Sequence, residues 1–236
     1  MTSRKTLAAS ADHAADRAIR ELGGDPSKFQ HAIRAFREVI EYISEDPGRQ
    51  SGKPDKRPNP LEEDGINKLA RKYFGDALKY SYPKESSTKP DPLVSTIVGH
   101  AFGRSEKELK AMRETHKEAM SAENNVGEYL ERYINSKTQT VWSWCAGSFV
   151  DKVDFIRRGE DGCWDAVQVK NSSTSENSSS SSVRDGTDIS KWHRYHSKKG
   201  TTEWSNLPVE FRNFGMSEEG FRRWVIEYLN KSTNAG

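Results

Sequence analysis

The sequence predicts a mixed α/β fold in which a small sheet is preceded and followed by helices. Two observations support this class. Apolar residues recur at helical spacing in the first part of the chain and again near its end, and strand-like runs rich in Val, Phe, Ile and Trp appear only after Lys137. At 236 residues the chain is long enough to bury a core of its own.

The predicted helices have recognisable starts and apolar faces. Asp25-Pro26 suits an N-cap and first helical position, and the helix after it has an apolar face formed by Phe29, Ile33, Phe36, Ile40 and Ile43. Ser105 and Glu108 have the spacing of a capping box, which predicts the start of a charged helix. Near the end of the chain, Ser217 is the predicted cap of a last helix.

A further helix is predicted for residues 122–135, and it contains candidate acids. Its apolar stripe is formed by Val126, Tyr129, Leu130, Tyr133 and Ile134. At 100° per residue, Glu123 lies within this stripe and Glu131 lies on its edge. An acid on a buried helix edge can reach the strands that follow, so we expect one of these glutamates to act there as a ligand, directly or through water.

The runs KVDFIRR and CWDAVQVK, separated by GEDG, predict a β-hairpin. Strand alternation puts Gln168 and Lys170 on one face, and Asp154 stands on the partner strand where a core residue is expected. A lone buried carboxylate is costly unless a cation or hydrogen bonds meet it. We therefore expect these three side chains to converge at the open end of the hairpin. The alternative is a surface hairpin with a solvated Asp and a Lys whose stem lies along apolar surface.

Such a set suits phosphodiester hydrolysis. Oxygen ligands can hold a divalent ion that polarises the phosphoryl group and lowers the pKa of a bound water. A neighbouring lysine can orient the attacking water and offset the charge on the phosphate. In this interpretation Asp154, Gln168 and one of the two helix glutamates are the metal ligands, and Lys170 positions the water.

A polar tract follows the second strand directly and leads into a cluster of cations and aromatics, KWHRYH. Short polar side chains can reach phosphate oxygens and base edges with little loss of side-chain entropy. A flexible serine-rich linker is the alternative. The residues that we expect to contact DNA are Asn171, Ser172, Asn177, Ser178, Arg184, Lys191, Trp192 and Arg194.

Composition limits the classes of protein to which this chain can belong. The net charge is only +2, so the basic signal is local rather than global. The two cysteines lack CxxC spacing, which argues against a disulfide scaffold or a Cys-type zinc site and suits a reducing cytosol. No apolar run is long enough to span a bilayer and no signal-peptide pattern opens the chain, so no membrane partner is expected.

The order of these features resembles the PD-(D/E)XK nuclease superfamily. The match consists of a helix with G-x-x-x-E, an Asp at a strand and a strand ending in x-K, here Gly127 to Glu131, Asp154, and Gln168-Val169-Lys170. The run from Val167 to Tyr195 is similar to type II restriction endonucleases of the SinI family. One departure is the amide of Gln168, where the superfamily usually has an acid, and another is the lack of a proline before Asp154. A neutral amide binds metal more weakly, so we expect Glu131 to contribute more.

The resemblance implies a Mg²⁺-dependent type II restriction endonuclease of prokaryotic cytoplasm. It implies cleavage of both strands of double-stranded DNA at GGWCC (W is A or T) after the first G, which leaves 5′-phosphate ends. A near-palindromic site favours a homodimer, and a cognate DNA methyltransferase is the expected functional partner. We divide the chain into a helical N-terminal region, 1–90, and a PD-(D/E)XK-like catalytic and DNA-binding core, 91–236, which together form one compact unit.

Two other functions remain open from the residues. A repair or junction nuclease of the same fold would use the same metal ligands without reading a sequence. A non-catalytic DNA-binding module would explain Gln168 as the loss of a catalytic acid.

Overall fold

The computed structural model describes residues 4–83, 91–172 and 189–233. It has the predicted mixed α/β architecture, with helices before and after a five-stranded sheet. The helices are α1 (Arg4–Glu21), α2 (Gln30–Glu45), α3 (Glu63–Ala77), α4 (Pro92–Phe102), α5 (Glu106–Thr138) and α6 (Glu218–Thr233). The strands are β1 (Ser143–Trp144), β2 (Phe155–Arg158), β3 (Trp164–Ser172), β4 (Ile189–His196) and β5 (Thr201–Thr202).

The strands lie in the sheet in chain order, and the predicted hairpin is its centre. Strands β2 and β3 are antiparallel, with Phe155 opposite Val167 and Arg158 opposite Trp164. Strands β3 and β4 are parallel, whereas the outer pairs are antiparallel. The middle of β3, from Ala166 to Val169, is buried on both faces, as is typical of a central strand covered on both sides.

Two helices differ from the prediction. Helix α1 was not expected, because four of its buried residues are alanines (Ala11, Ala14, Ala15 and Ala18), which give a weak hydrophobic pattern. Helix α5 is one continuous helix of 33 residues rather than two. The predicted capping box at its start is confirmed: the Ser105 backbone NH donates to Glu108 Oε2 (2.8 Å), and the Glu108 NH donates to Ser105 Oγ (3.4 Å).

Strand β1 is much shorter than the apolar run around it suggests. The run TVWSWCAGSFV is strand-like in composition, but only Ser143 and Trp144 pair with β2. Gly147 and Ser148 have φ values of 92° and 52°, in the left-handed region, and turn the chain out of the sheet. The loop that results leads to Asp154, so it brings the predicted acid to the end of β2.

The N-terminal helices and the sheet share one hydrophobic core. Helix α2 packs against β1, and the predicted apolar residues Ile33, Phe36, Ile40 and Ile43 are all buried. From α3, Tyr73 donates a hydrogen bond through its hydroxyl to the Trp144 carbonyl oxygen (3.1 Å). The helical region therefore supports the strand beside the predicted site. Among the described helices, none has the length and apolar character that crossing a membrane requires.

Candidate active site

Asp154 lies at the open end of the hairpin, one residue before β2. Its backbone NH donates to the Val167 carbonyl oxygen (2.9 Å), and its own carbonyl oxygen accepts from the Cys145 NH (2.8 Å). Its side-chain Oδ2 accepts a hydrogen bond from the Val169 NH (2.7 Å). Backbone contacts on both sides thus hold this carboxylate beside the Gln168-Val169-Lys170 segment.

Glu131 reaches the same place from α5. Its Oε2 accepts a hydrogen bond from Trp144 Nε1 (3.0 Å), and both Glu131 and Asp154 line one cavity of about 370 Å³. Glu123 is exposed and does not line that cavity. Of the two helix acids considered from the sequence, the structure brings Glu131 to Asp154.

The two carboxyl groups and Lys170 form one electrostatic unit. Burial raises the pKa of Glu131, and the charge of Asp154 raises it further. Burial also raises the pKa of Asp154, against the lowering effects of the Val169 NH and of Lys170. The charge of Lys170 lowers the pKa of both acids, although neither Lys170 nor Gln168 lines the cavity. Two buried acids whose pKa values are raised are stabilised by a cation between them.

Gln168 is the third predicted ligand. Its side chain is 4% exposed, and its Oε1 has no hydrogen-bond partner among the described residues. Leaving a buried acceptor unsatisfied costs about 1–3 kcal/mol, and such a group calls for a functional explanation. An amide oxygen is a ligand that Mg²⁺ and Ca²⁺ accept.

These residues fit a divalent metal with hard oxygen ligands. No group of three His, Cys, Asp or Glu side chains converges within the described ranges. The candidate donors are therefore the carboxylates of Glu131 and Asp154 together with the amide oxygen of Gln168. Thiolates and imidazoles, the donors typical of structural zinc, are not among them. These three candidate donors are the ligands that the sequence predicts, and their role as ligands stays a prediction.

Two of the expected DNA-contacting residues support the sheet instead. Trp192 is buried, and its Nε1 donates to the Glu203 carbonyl oxygen (3.0 Å). The Arg194 side chain is 12% exposed; it donates to Asn171 Oδ1 (3.0 Å) and to both carboxylate oxygens of Glu218 (2.7 Å each). These contacts join β3, β4 and α6, so Trp192 and Arg194 are engaged in packing and ion pairing within the fold.

The other expected DNA contacts are partly described. Asn171 and Ser172 end β3 and are half-buried. Lys191 on β4 stands in register with Gln168 on β3, which brings its backbone beside the candidate site. Asn177, Ser178 and Arg184 lie outside the described residues.

One residue beside the acids was missed from the sequence. The Trp144 indole donates a hydrogen bond to Glu131. The Arg132 guanidinium lies over the Trp144 ring, 5.2 Å from its centroid. The strand alternation around Trp144 marks it as a core residue, but nothing in the local sequence indicates that its indole NH meets a carboxylate from another element.

Similar proteins give the class to which this fold and site belong. The chain is 38% identical to the type II restriction enzyme Eco47I of Escherichia coli over 200 residues, which cover 83% of this chain and 86% of the relative. It is 36% identical to the type II restriction enzyme SinI of Salmonella infantis over 200 residues, with the same coverage. The class is that of type II restriction endonucleases.

The sequence profile of one family matches nearly the whole chain. The profile of the SinI restriction endonuclease covers residues 18–231. This chain belongs to the SinI restriction endonuclease family, as the motif resemblance predicts. It is therefore a DNA-binding hydrolase of a restriction system.

Proposed function

We propose that this protein is a Mg²⁺-dependent restriction endonuclease that hydrolyses both strands of double-stranded DNA at GGWCC. The observation that carries the proposal is that Glu131 and Asp154 line one cavity in a member of this family. The amide oxygen of Gln168, on the strand that follows, has no hydrogen-bond partner among the described residues. Cleavage after the first G would leave three-base 5′ overhangs, with 3′-hydroxyl and 5′-phosphate ends.

Glu131, Asp154 and Gln168 are the proposed metal ligands. Bound there, Mg²⁺ would polarise the scissile phosphoryl group and lower the pKa of a water molecule. The Val169 NH orients one oxygen of Asp154, and the Trp144 indole orients one oxygen of Glu131. Both carboxylates are thereby held in position before the metal arrives, which lowers the cost of assembling the site.

Lys170 is the proposed water-positioning residue. It lies two residues after Gln168 on β3, and its charge lowers the pKa of both Asp154 and Glu131. From there it can donate a hydrogen bond to the attacking water and offset negative charge on the phosphate.

The proposed DNA sequence rests on the family resemblance, and residue chemistry is compatible with it. Each half-site contains two G·C pairs, and the O6 and N7 atoms of guanine are best met by arginine or lysine. Lys191 and Arg184, which follow the catalytic strand in the chain, are the proposed cations near the grooves, with Asn177 and Ser178 as adjoining polar contacts. The central A·T pair would be read without regard to its orientation, through the minor groove or by shape.

A homodimer is the proposed assembly, because two-fold DNA symmetry is most simply matched by two-fold protein symmetry. Helix α4 offers a surface for it: Leu93, Val94, Ile97 and Phe102 are each more than half exposed. The segments outside the described residues contain only Met1 and Val183 as large apolar residues, so none of these segments is apolar enough to cover that surface. A second copy of α4 is the proposed cover.

The dimer surface has a matched control within the chain. Ile97→Lys on α4 is expected to sediment as a monomer, whereas Ile226→Lys, at an isoleucine similarly exposed on α6, stays dimeric. A dimeric Ile97→Lys protein would contradict the assignment of this surface.

The cellular setting follows from the proposed activity. A nuclease that cuts a five-base-pair site would also cut its host's DNA, so we propose a cognate DNA methyltransferase as its functional partner in a prokaryotic cytoplasm. Within the chain, we propose that residues 1–90 support the catalytic and DNA-binding core, 91–236, as part of one unit, since both contribute to the same hydrophobic core.

Digestion of mapped plasmid DNA with Mg²⁺ tests the proposal. Discrete fragments ending at GGWCC are expected, and fragment ends at any other sequence would contradict the site while leaving the nuclease activity intact. Cleavage only at junctions or damaged sites would favour a repair nuclease. Binding without cleavage at any Mg²⁺ concentration would favour a non-catalytic DNA-binding module.

A further inference from the structure

The segment that follows α3 has no regular secondary structure, but hydrogen bonds hold it against α5. Arg132 on α5 donates through Nη1 to the Ala77 carbonyl oxygen (3.1 Å) and through Nη2 to the Asp76 carbonyl oxygen (2.7 Å). These two bonds hold the end of α3 against α5, one residue along from Glu131.

A second set of contacts holds the other end of the segment. The Ser81 hydroxyl donates to Glu128 Oε2 (2.7 Å), and the Ser81 carbonyl oxygen accepts from the Tyr129 hydroxyl (3.2 Å). The Ser81 NH donates to the hydroxyl oxygen of Tyr228 on α6 (2.9 Å). Lys79 lies between these two anchored ends, so its backbone has a defined position.

Lys79 lies at the cavity that contains the two proposed metal-binding acids. Lys79 is exposed and lines the same cavity of about 370 Å³ as Glu131 and Asp154. It forms no ion pair with any residue in the described ranges. The other cation lining the cavity, Arg132, is 10% exposed and engaged with Glu128 (2.8 Å) as well as with the two carbonyl oxygens.

The ion pairs around the cavity leave the DNA phosphate without a cation. Glu128 is paired with Arg132, and in the proposed function the metal offsets Glu131 and Asp154. The DNA backbone that must approach these acids carries one negative charge per phosphate, which lysine or arginine neutralises in protein–DNA complexes. Among the described residues that line the cavity, Lys79 is the cation that forms no ion pair.

We propose that Lys79 binds a backbone phosphate of the DNA strand that enters this cavity. The assignment rests on the proposed nuclease function. It makes the end of the N-terminal helical region part of the DNA-binding surface. Both the helical region, 1–90, and the core, 91–236, then contact DNA. A phosphate contact orients the strand without reading its sequence.

The test compares Lys79→Ala and Lys79→Arg with Lys72→Ala. Lys72, on α3, is also an exposed lysine, and it does not line the cavity. Fluorescence anisotropy would give the Kd for two duplexes, one with GGACC and one without it, between 0.05 and 0.5 M salt (about the range over which phosphate contacts are resolved). EDTA in the buffer prevents cleavage during the measurement.

Loss of one phosphate contact has a characteristic effect on salt dependence. For Lys79→Ala the slope of log K against log salt concentration should become less negative by about 0.9, which weakens Kd by about eightfold at 0.1 M salt and about twofold at 0.5 M. The change should be the same for both duplexes, Lys79→Arg should restore wild-type binding, and Lys72→Ala should leave the slope unchanged. Circular dichroism verifies that each variant is folded.

Three results would overturn the assignment: an unchanged slope for Lys79→Ala, a loss confined to the duplex with the site, or an equal loss in Lys72→Ala. The plasmid digest separates this proposal from the proposed function. If the wild-type protein fails to cut with Mg²⁺ but the slope still changes in Lys79→Ala, the nuclease proposal fails and the phosphate contact stands. If the wild-type protein cuts and the slope is unchanged, Lys79 alone has been misassigned.

Discussion

Replacing Gln168 with methionine is expected to make the metal-free protein more stable and the enzyme far less active. The side chain is buried, and its Oε1 has no hydrogen-bond partner among the described residues. Methionine is unbranched, close in volume to glutamine and apolar, so it can occupy the same space without an unsatisfied acceptor. The substitution therefore removes a destabilising group and a proposed metal ligand together.

The size of the stability gain follows from the buried oxygen. An unsatisfied buried acceptor costs about 1–3 kcal/mol. For a chain of this size each kcal/mol shifts Tm by about 2–4 °C, so Tm of Gln168→Met in EDTA should rise by roughly 2–12 °C. Cleavage with Mg²⁺ should fall about 100-fold or more, because even residues that only support metal ligands cost 10- to 100-fold when removed.

The assay is a thermal melt with and without Mg²⁺, joined to plasmid cleavage. Mg²⁺ should raise Tm of the wild-type protein, because a ligand that binds only the folded state stabilises it, and this rise should be reduced in Gln168→Met. Gln168→Glu is the matched control: it restores the superfamily's usual acid, so it should remain active and lower Tm in EDTA by adding a third buried carboxylate. A lower Tm in EDTA or wild-type cleavage for Gln168→Met would refute the reasoning.

Further predictions concern the neighbouring residues. Lys170→Ala and Asp154→Asn should abolish cleavage but keep site-specific binding in gel shifts; lost binding by a folded variant would contradict their roles. Trp144→Phe should raise the Mg²⁺ concentration for half-maximal cleavage about tenfold, because Glu131 loses its indole donor; an unchanged Mg²⁺ dependence would count against this. Burial raises the pKa of Glu131 from 4.5 to about 8, so the folded state binds more protons than the unfolded state between these values. Tm in EDTA should therefore fall as pH rises through this window, with a flatter profile in Glu131→Gln; an equally steep profile in the variant would contradict the role of Glu131.

Local patterns in the sequence predicted the hairpin that contains the candidate active site. A period of two in each strand and a turn rich in glycine define the hairpin, and these are properties of neighbouring residues alone. For the same reason the capping box of α5 could be predicted. Helix α1 could not, since alanines bury little area each and give almost no periodic signal.

The roles of several polar side chains depended on partners that are distant in the chain. The cluster KWHRYH indicated DNA contact because cations and aromatics alternate in it, yet Trp192 and Arg194 meet Glu203 and Glu218 once β4, β5 and α6 pack together. Composition cannot distinguish a cation that faces DNA from one that faces a carboxylate. Only the tertiary contacts of the cation show which of the two it faces.

The sequence by itself indicated the family and the hairpin and predicted the set of Asp154, Gln168 and Lys170, because strand alternation and a short motif are encoded within a few residues. The tertiary structure decided which helix acid joins them. It brings Glu131 rather than Glu123 to the cavity, and it places Lys79 there through bonds from α5 and α6 to the end of α3. The physical reason is that burial, pKa and ion pairing depend on which elements pack together, and that packing is a property of the whole chain.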